Sequence, residues 1–245
     1  MTHFFVDPAD VAGDELVIRG GDVNHIKNVL RMKPGEEFFA SDGQGNDYYC
    51  AYGGADDGEA RARVLYVRPS ESELPVNVTL YQGLPKGDKM ELIIQKCTEL
   101  GVKRIVPVNC ARCVAKLDEK KAPARIKRWQ DIAEAAAKQS GRGVIPVVSM
   151  PMSFKAALAQ AKSASVRLFP YECAQGMERT RELFSKIRSG DDIAVFIGPE
   201  GGFEVSEADT ASQNGFEAVT LGKRILRTET AGMYVLSVIG FNMEA

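Results

Sequence analysis

Residues 192–232, DIAVFIGPEGGFEVSEADTASQNGFEAVTLGKRILRTETAG, constrain the fold more than any other stretch of the chain. Two short apolar runs, 193–197 and 218–221, each enter a glycine-bearing loop, and the second loop runs straight into a helix-forming segment. Glycines directly after a buried strand let the backbone take positive φ and let a ligand lie against bare N–H and C=O groups. The layout therefore predicts a ligand site built largely from main chain. In the first loop, Gly198-Pro199-Glu200-Gly201-Gly202, the proline fixes one φ and removes one donor. Ser206 with Asp209 three residues on predicts a capped helix start, and Gly215 its end. The second loop, Gly222-Lys223-Arg224-Ile225-Leu226-Arg227, sets two apolar side chains among three cations before Thr228, an expected N-cap. Residues 230–243 are apolar on nearly every face, which predicts a helix buried on several sides or docked against a second subunit. Neither loop is GxxxxGK[ST] or GxGxxG, so a nucleotide phosphate loop is poorly supported. Taken alone, GPEGG fits a ligand loop or a tight turn equally well.

Upstream, the chain changes character once. Residues 1–70 carry short runs at 15–18, 37–40, 48–52 and 60–67 between Gly20-Gly21, Pro34-Gly35, Asp42-Gly43 and Gly53-Gly54. This punctuation predicts a small β-barrel with one short helix near 22–30. Residues 71–75 read as a linker, and 76–245 as a second domain. There, strands near 76–81, 104–108, 144–148, 166–169, 193–197 and 218–221 alternate with helices near 89–100, 123–140, 154–161, 177–187, 207–214 and 229–243. Such alternation predicts an α/β domain with a mostly parallel sheet covered on both faces. The helix at 89–100 is expected to be capped by Asp88 with Glu91 reaching back, and to bury Leu92, Ile93, Cys97 and Leu100.

Composition bounds the function classes. The 245 residues are 44% hydrophobic and 26% charged, with no run long enough to span a bilayer. The opening MTHFFVDPAD has neither a basic nor an apolar leader region, so a cytoplasmic protein is expected. Five cysteines fit reduced thiols. A lone Cys110-Ala111-Arg112-Cys113 with only two histidines in the chain argues against a zinc site, and no metal is expected. The net charge of −2 conceals an uneven distribution: residues 1–70 hold 7 Lys/Arg against 12 Asp/Glu, whereas 86–142 hold 14 against 7. That excess fits either a footprint for a polyanion or a solvated lysine face.

The pair IGPEGG and LGKRILRTETA resembles the S-adenosylmethionine site of the SPOUT (trefoil-knot) RNA methyltransferases. More narrowly, it is similar to the family that methylates N3 of a uridine in 16S ribosomal RNA. The resemblance continues through KGDKMELIIQKCTELGV (86–102) and AAAKQSGR (135–142), and more loosely into the amino-terminal part, so it covers most of the chain. It implies a C-terminal trefoil knot in the α/β domain, a PUA-like RNA-binding barrel before it, S-adenosylmethionine as cofactor, ribosomal RNA or the small ribosomal subunit as partner, and a homodimer. Tyr171 and Glu172, at the end of a strand, match the first of three cofactor segments. The others are Gly198, Pro199, Glu200, Gly201 and Gly202, then Leu221, Gly222, Ile225, Leu226 and Thr230. Arg227 is the expected catalytic group, hydrogen-bonding the uracil oxygens, with Glu229 or Glu200 orienting it or taking the N3 proton. RNA contacts are expected at His25, Arg31, Lys86, Lys89, Arg112, Arg142 and Arg227. One departure stands near the start, where relatives often carry an arginine and this chain has Thr2-His3. Two other classes are weighed against this reading: a non-catalytic RNA-binding or ribosome-assembly factor, which needs neither glycine loop, and a nucleotide-dependent oxidoreductase, which would need a dinucleotide fingerprint. A SPOUT enzyme acting on another RNA position is the nearer alternative.

Overall fold

Glycine and proline punctuation in the first seventy residues cuts the chain into the strands of one mostly antiparallel sheet. A computed structural model describes residues 3–115, 117, 122–174 and 176–244. The strands are β1 (His3–Phe5), β2 (Val11–Ala12), β3 (Glu15–Arg19), β4 (Glu37–Ser41), β5 (Asn46–Asp56) and β6 (Glu59–Pro69), in the order β1-β4-β5-β6-β3-β2. Strands β1 and β2 escape sequence reading because two or three residues show no period. No pair joins β1 to β2 among the described residues, so the ladder stays open where a closed barrel was expected. Register shifts at Tyr49/Cys50 and Tyr52/Gly54 curve the long β5–β6 hairpin instead. The expected single helix at 22–30 is α1 (Gly21–Asn24) followed by a π-helical turn (His25–Leu30), and it ends on Arg31 with a left-handed φ of 53°. Val23 and Ile26 point from it into a core with Phe4, Leu16, Ile18, Phe38 and Cys50.

The chain forms two compact units, Met1–Glu73 with Ala137–Ile145, and Leu74–Ala136 with Pro146–Ala245. Residues 72 and 73, expected within a linker, are fixed inside the first unit. Ser72 Oγ accepts from the Gly143 N–H at 3.1 Å, and the Glu73 carboxylate accepts from Val144 N–H at 3.2 Å and from Arg142.

In the second unit every strand pair is parallel. Strands β7 (Asn77–Gly83), β8 (Arg104–Asn109), β9 (Val147–Val148), β10 (Met152–Ser153), β11 (Val166–Pro170), β12 (Asp192–Ile197) and β13 (Glu217–Val219) run in the order β10-β8-β7-β12-β11-β13, with β9 beside β8. The run Ile193–Ala194–Val195–Phe196–Ile197 is buried throughout, as a central parallel strand requires. Phe196 stacks on Tyr81 of β7 at 4.5 Å between ring centroids.

Helices α2 (Lys89–Glu99), α3 (Ala122–Ser140), α4 (Phe154–Ala161), α5 (Met177–Ser185), α6 (Val205–Gln213) and α7 (Thr228–Met243) follow the expected alternation. Three local expectations fail. In α2 the buried face is Met90, Ile93, Ile94 and Cys97, while Leu92 is 42% exposed; the i, i+3, i+4, i+7 spacing starts at 90 and leaves 92 off the stripe. Asp88 holds the N-cap position of α2 without a side-chain cap bond. The capping box of α6 is Glu204 with Glu207, two residues before the expected Ser206 and Asp209. Helix α7 packs Gly232 against Leu80 Cδ2, 3.5 Å from where a β-carbon would stand, and against Cys97 Sγ at 3.6 Å. Its burial is one-sided: Tyr234 is 36% and Phe241 81% exposed.

Candidate active site

The carboxyl ends of the adjacent strands β12, β11 and β13 carry the loops 198–204, 171–174 and 220–227, the edge at which parallel sheets hold ligands. Within the second unit they enclose a cavity of ≈ 480 Å³. Tyr171, Glu172, Gly198, Pro199, Glu200, Gly202, Leu221, Gly222, Ile225, Leu226 and Arg227 all line it.

Two expected members lie elsewhere. Gly201 faces away: a β-carbon there would stand 3.1 Å from Arg112 Cβ, and its carbonyl accepts from Arg112 Nη1 at 3.0 Å. Thr230 is exposed in the first turn of α7 and is not among the lining residues, because helical rotation turns Thr228 and Ala231 to the cavity instead.

Loop 198–204 closes on itself through Gly202 N–H to Pro199 O at 2.9 Å. Gly202 takes φ +67°, and a β-carbon there would meet only the Glu172 carboxylate, at 3.6 Å. Gly83, at the end of β7, has no room for a side chain: its β-carbon would stand 2.7 Å from Pro199 Cδ and N. The close approach of β7 to this loop thus depends on glycine.

Thr228, expected as N-cap of α7, is its first residue, with Arg227 at the cap. Its hydroxyl donates to Gly198 O at 2.6 Å and accepts from Gln82 Nε2 at 2.8 Å. Neither Gln82 nor Thr228 is legible as a site residue in the sequence, since the bond joins positions 146 residues apart.

At the cavity rim, Glu200 accepts from the Lys86 N–H at 3.1 Å and from Lys89 Nζ at 2.9 Å. Burial pushes the Glu200 carboxyl up, but the bonds from Lys89 and from main-chain N–H groups outweigh it, so its pKa lies below the ordinary carboxylate value. A carboxylate held ionised in this way can orient a neighbouring cation. Glu229 differs. Its Oε2 is buried with no hydrogen-bond partner, and Lys89 Nζ stands 3.5 Å away as an ion pair lacking hydrogen-bond geometry. Lys89, expected as a phosphate contact, is therefore committed to two carboxylates. Arg227 is exposed at the cavity, with its backbone fixed by Thr230 N–H and Ala231 N–H donating to its carbonyl at 2.9 and 3.0 Å.

The remaining RNA candidates separate by burial. His25 and Arg31 are exposed in the first unit, and Lys86 and Arg112 in the second. Arg142 is not available as a contact: it is 2% exposed and forks onto Glu73, with Nε to Oε1 at 3.1 Å and Nη2 to Oε2 at 2.5 Å. A guanidinium so paired and buried is structural. Of the Thr2-His3 pair, Thr2 lies outside the described residues; His3 Nε2 bonds Ser41 Oγ at 2.6 Å, and burial lowers its pKa. Cys110 and Cys113 are buried in one turn, with Cys110 N–H donating to Cys113 Sγ at 3.3 Å. Among the described residues no group of His, Cys, Asp or Glu could hold a metal ion, and no helix is long and apolar enough to cross a membrane.

Comparison with known proteins agrees with this geometry. The RNA methyltransferase domain family matches residues 72–240, and the RNA methyltransferase PUA domain family matches residues 18–65. The ribosomal RNA small subunit methyltransferase E of Bacillus subtilis is 36% identical over 230 residues, 93% of this chain and 90% of the relative. The protein of that name from Mycobacterium tuberculosis is 32% identical over 241 residues, 97% of this chain and 90% of the relative. A crystal structure of ribosomal RNA small subunit methyltransferase E from Neisseria gonorrhoeae bound to S-adenosyl methionine superposes with a TM-score of 0.85 at 33% identity, covering 99% of this chain and 98% of that one. With the parallel α/β domain and its three-loop cavity following a PUA-like domain, the chain belongs to the RNA methyltransferase family that includes these small-subunit enzymes.

Proposed function

We propose that this protein transfers the methyl group of S-adenosylmethionine to N3 of a uridine in 16S ribosomal RNA. The observation that carries the reading is the cavity of ≈ 480 Å³ enclosed by three loops of parallel strands, within a domain of the RNA methyltransferase family. Its size suits a small-molecule cofactor. The residues suit one too. Gly202 offers bare backbone beside the Glu172 carboxylate, an acceptor for hydroxyl or ammonium groups, while Leu221, Leu226 and Pro199 supply apolar walls for a flat base. When bound, the cofactor supplies an electrophilic methyl group on a sulfonium whose charge is lost in the transfer.

The chain's own contribution is positioning and charge. Binding both reactants in line removes much of the entropic barrier. Arg227 stands at the N-terminus of α7, where guanidinium and helix dipole together favour negative charge developing on the uracil oxygens. Glu200, at the cavity wall, and Glu229, in the first turn of α7 and ion-paired to Lys89, are the two glutamates that can orient Arg227 or accept the N3 proton. The target base is presented singly, by flipping or from an unpaired stretch. Residues 1–70 act as the RNA-binding module, with His25 and Arg31 as exposed contacts, and 76–245 carry the transfer and the trefoil knot.

Isothermal calorimetry with S-adenosylmethionine tests the cofactor site. The parent is expected to bind, and Gly202→Val, which forces a β-branched side chain into positive φ at the cavity wall, is expected to fold and not bind. A folded parent that fails to bind with RNA absent and present refutes the proposal. Mass spectrometry of nucleosides from methylated 16S RNA then reads the position, and any product other than N3-methyluridine overturns that part of it.

The protein acts in the cytoplasm as a homodimer. The exposed face of α7, with Tyr234 and Phe241, supports association through this helix. Sedimentation velocity is expected to give a dimer that Phe241→Glu dissociates; a monomeric parent at micromolar concentration sinks the dimer.

A further inference from the structure

Gln82 is a polar residue in the wrong place for a strand core. It lies in β7 with no exposed surface, between Tyr81 and Gly83. Its Nε2 is 2.9 Å from Gly83 O and 2.8 Å from Thr228 Oγ1, and its Oε1 has no hydrogen-bond partner. The directions of these bonds follow from chemistry. The Gly83 carbonyl can only accept, so the amide nitrogen, not the oxygen, must face both neighbours. The Thr228 hydroxyl therefore accepts from Gln82, and its single proton goes to Gly198 O, 2.6 Å away, which also can only accept.

The chain of bonds thus runs from Gln82 through Thr228 to Gly198, and its last two members line the cavity. Gly198 precedes Pro199, so the peptide joining them has no N–H; its carbonyl is its only polar group. Thr228 takes that carbonyl up. Without the donor from Gln82, the Thr228 hydroxyl is free to rotate, and the Gly198 peptide loses its anchor to α7.

We infer that Gln82 is a positioning residue for the cofactor: through the Thr228 hydroxyl it fixes the Gly198–Pro199 peptide, and so decides which main-chain groups of the cavity wall meet the ligand. This rests on the reading of the cavity as the S-adenosylmethionine site. It also accounts for a buried amide left with one oxygen unpaired, since an apolar residue of the same size would fill the strand position but direct nothing.

A double-mutant cycle tests it, read by calorimetry with S-adenosylmethionine and, separately, by RNA affinity and thermal melting. Gln82→Met, similar in length and without a donor, is expected to weaken cofactor binding about tenfold, as loss of one orienting hydrogen bond does. Thr228→Val, which keeps the shape and removes the hydroxyl, is expected to weaken it at least as much, while Thr228→Ser stays near the parent. The double variant is expected to bind no more weakly than Thr228→Val alone, because Gln82 acts only through Thr228. RNA affinity is unchanged in all of them. Unaltered cofactor affinity in a folded Gln82→Met, or losses that multiply in the double variant, overturn the inference. Should Gln82→Met not fold, Thr228→Val against Thr228→Ser asks the same question from the other end of the bond, and equal affinities overturn it. A folded parent that binds no cofactor removes the functional reading and this inference together, whereas a binding parent with equally competent variants removes the inference alone.

Discussion

Arg227→Ala is expected to lower the rate of methyl transfer by about 10²–10³-fold, the effect of deleting one donor to a developing oxyanion, while cofactor affinity changes by less than about twofold. The division follows from where the residue sits. Its backbone is locked at the cap of α7 by two main-chain bonds, so truncating the side chain leaves loop 220–227 in place. The guanidinium has no protein partner among the described residues and is exposed at the cavity, so it is free to meet a reactant. Arg227→Lys keeps the charge and loses the planar fork, and is expected to recover only part of the rate. Single-turnover kinetics at saturating RNA, beside calorimetry with S-adenosylmethionine, separate the two quantities. A parallel loss of cofactor affinity would mean that Arg227 holds the cofactor rather than the uracil.

What the sequence made legible was local. Loop 198–202 and loop 222–227 announce themselves because glycine, proline and apolar strands are coded within a few residues of one another, and both loops do wall the cavity. The alternation of strands and helices was readable for the same reason, and the sheet is parallel throughout the second unit. The errors are of two kinds. Where two candidate signals overlap, composition favoured the wrong one: Ser206 with Asp209 looks more like a capping box than Glu204 with Glu207, yet the box forms at the pair where the helix actually begins. Where a role depends on a distant partner, no local pattern exists. Lys89 reads as a free cation until Glu200 and Glu229 are placed beside it, and Gln82 as an ordinary strand residue until Thr228 arrives. Gly201 shows the limit within a correctly read loop: five consecutive residues share a motif, but the turn closed by Gly202 N–H and Pro199 O faces one of them outward against Arg112.

Arg142 belongs to the second kind, and its replacement carries the largest expected effect on stability. In sequence it follows a helix and a glycine, the setting of an exposed loop cation. In the fold it is 2% exposed, with a two-point fork onto the Glu73 carboxylate, while the N–H of Val144 donates to the same carboxylate. Removing the cation leaves a carboxylate that accepted charge-assisted bonds facing a void. Breaking one side of such a pair costs about 3–5 kcal/mol, a large share of the roughly 5–15 kcal/mol that holds a domain folded. Arg142→Ala is therefore expected to lower the melting temperature of the first unit by roughly 10 °C or more. Arg142→Met with Glu73→Leu, which removes both charges and refills the space, is expected to regain most of the loss. RNA affinity, measured by filter binding on the folded protein at low temperature, should stay at the parent's value. Reduced RNA affinity without a change in melting would return Arg142 to the RNA-contacting surface and deny the structural role of its bond to Glu73.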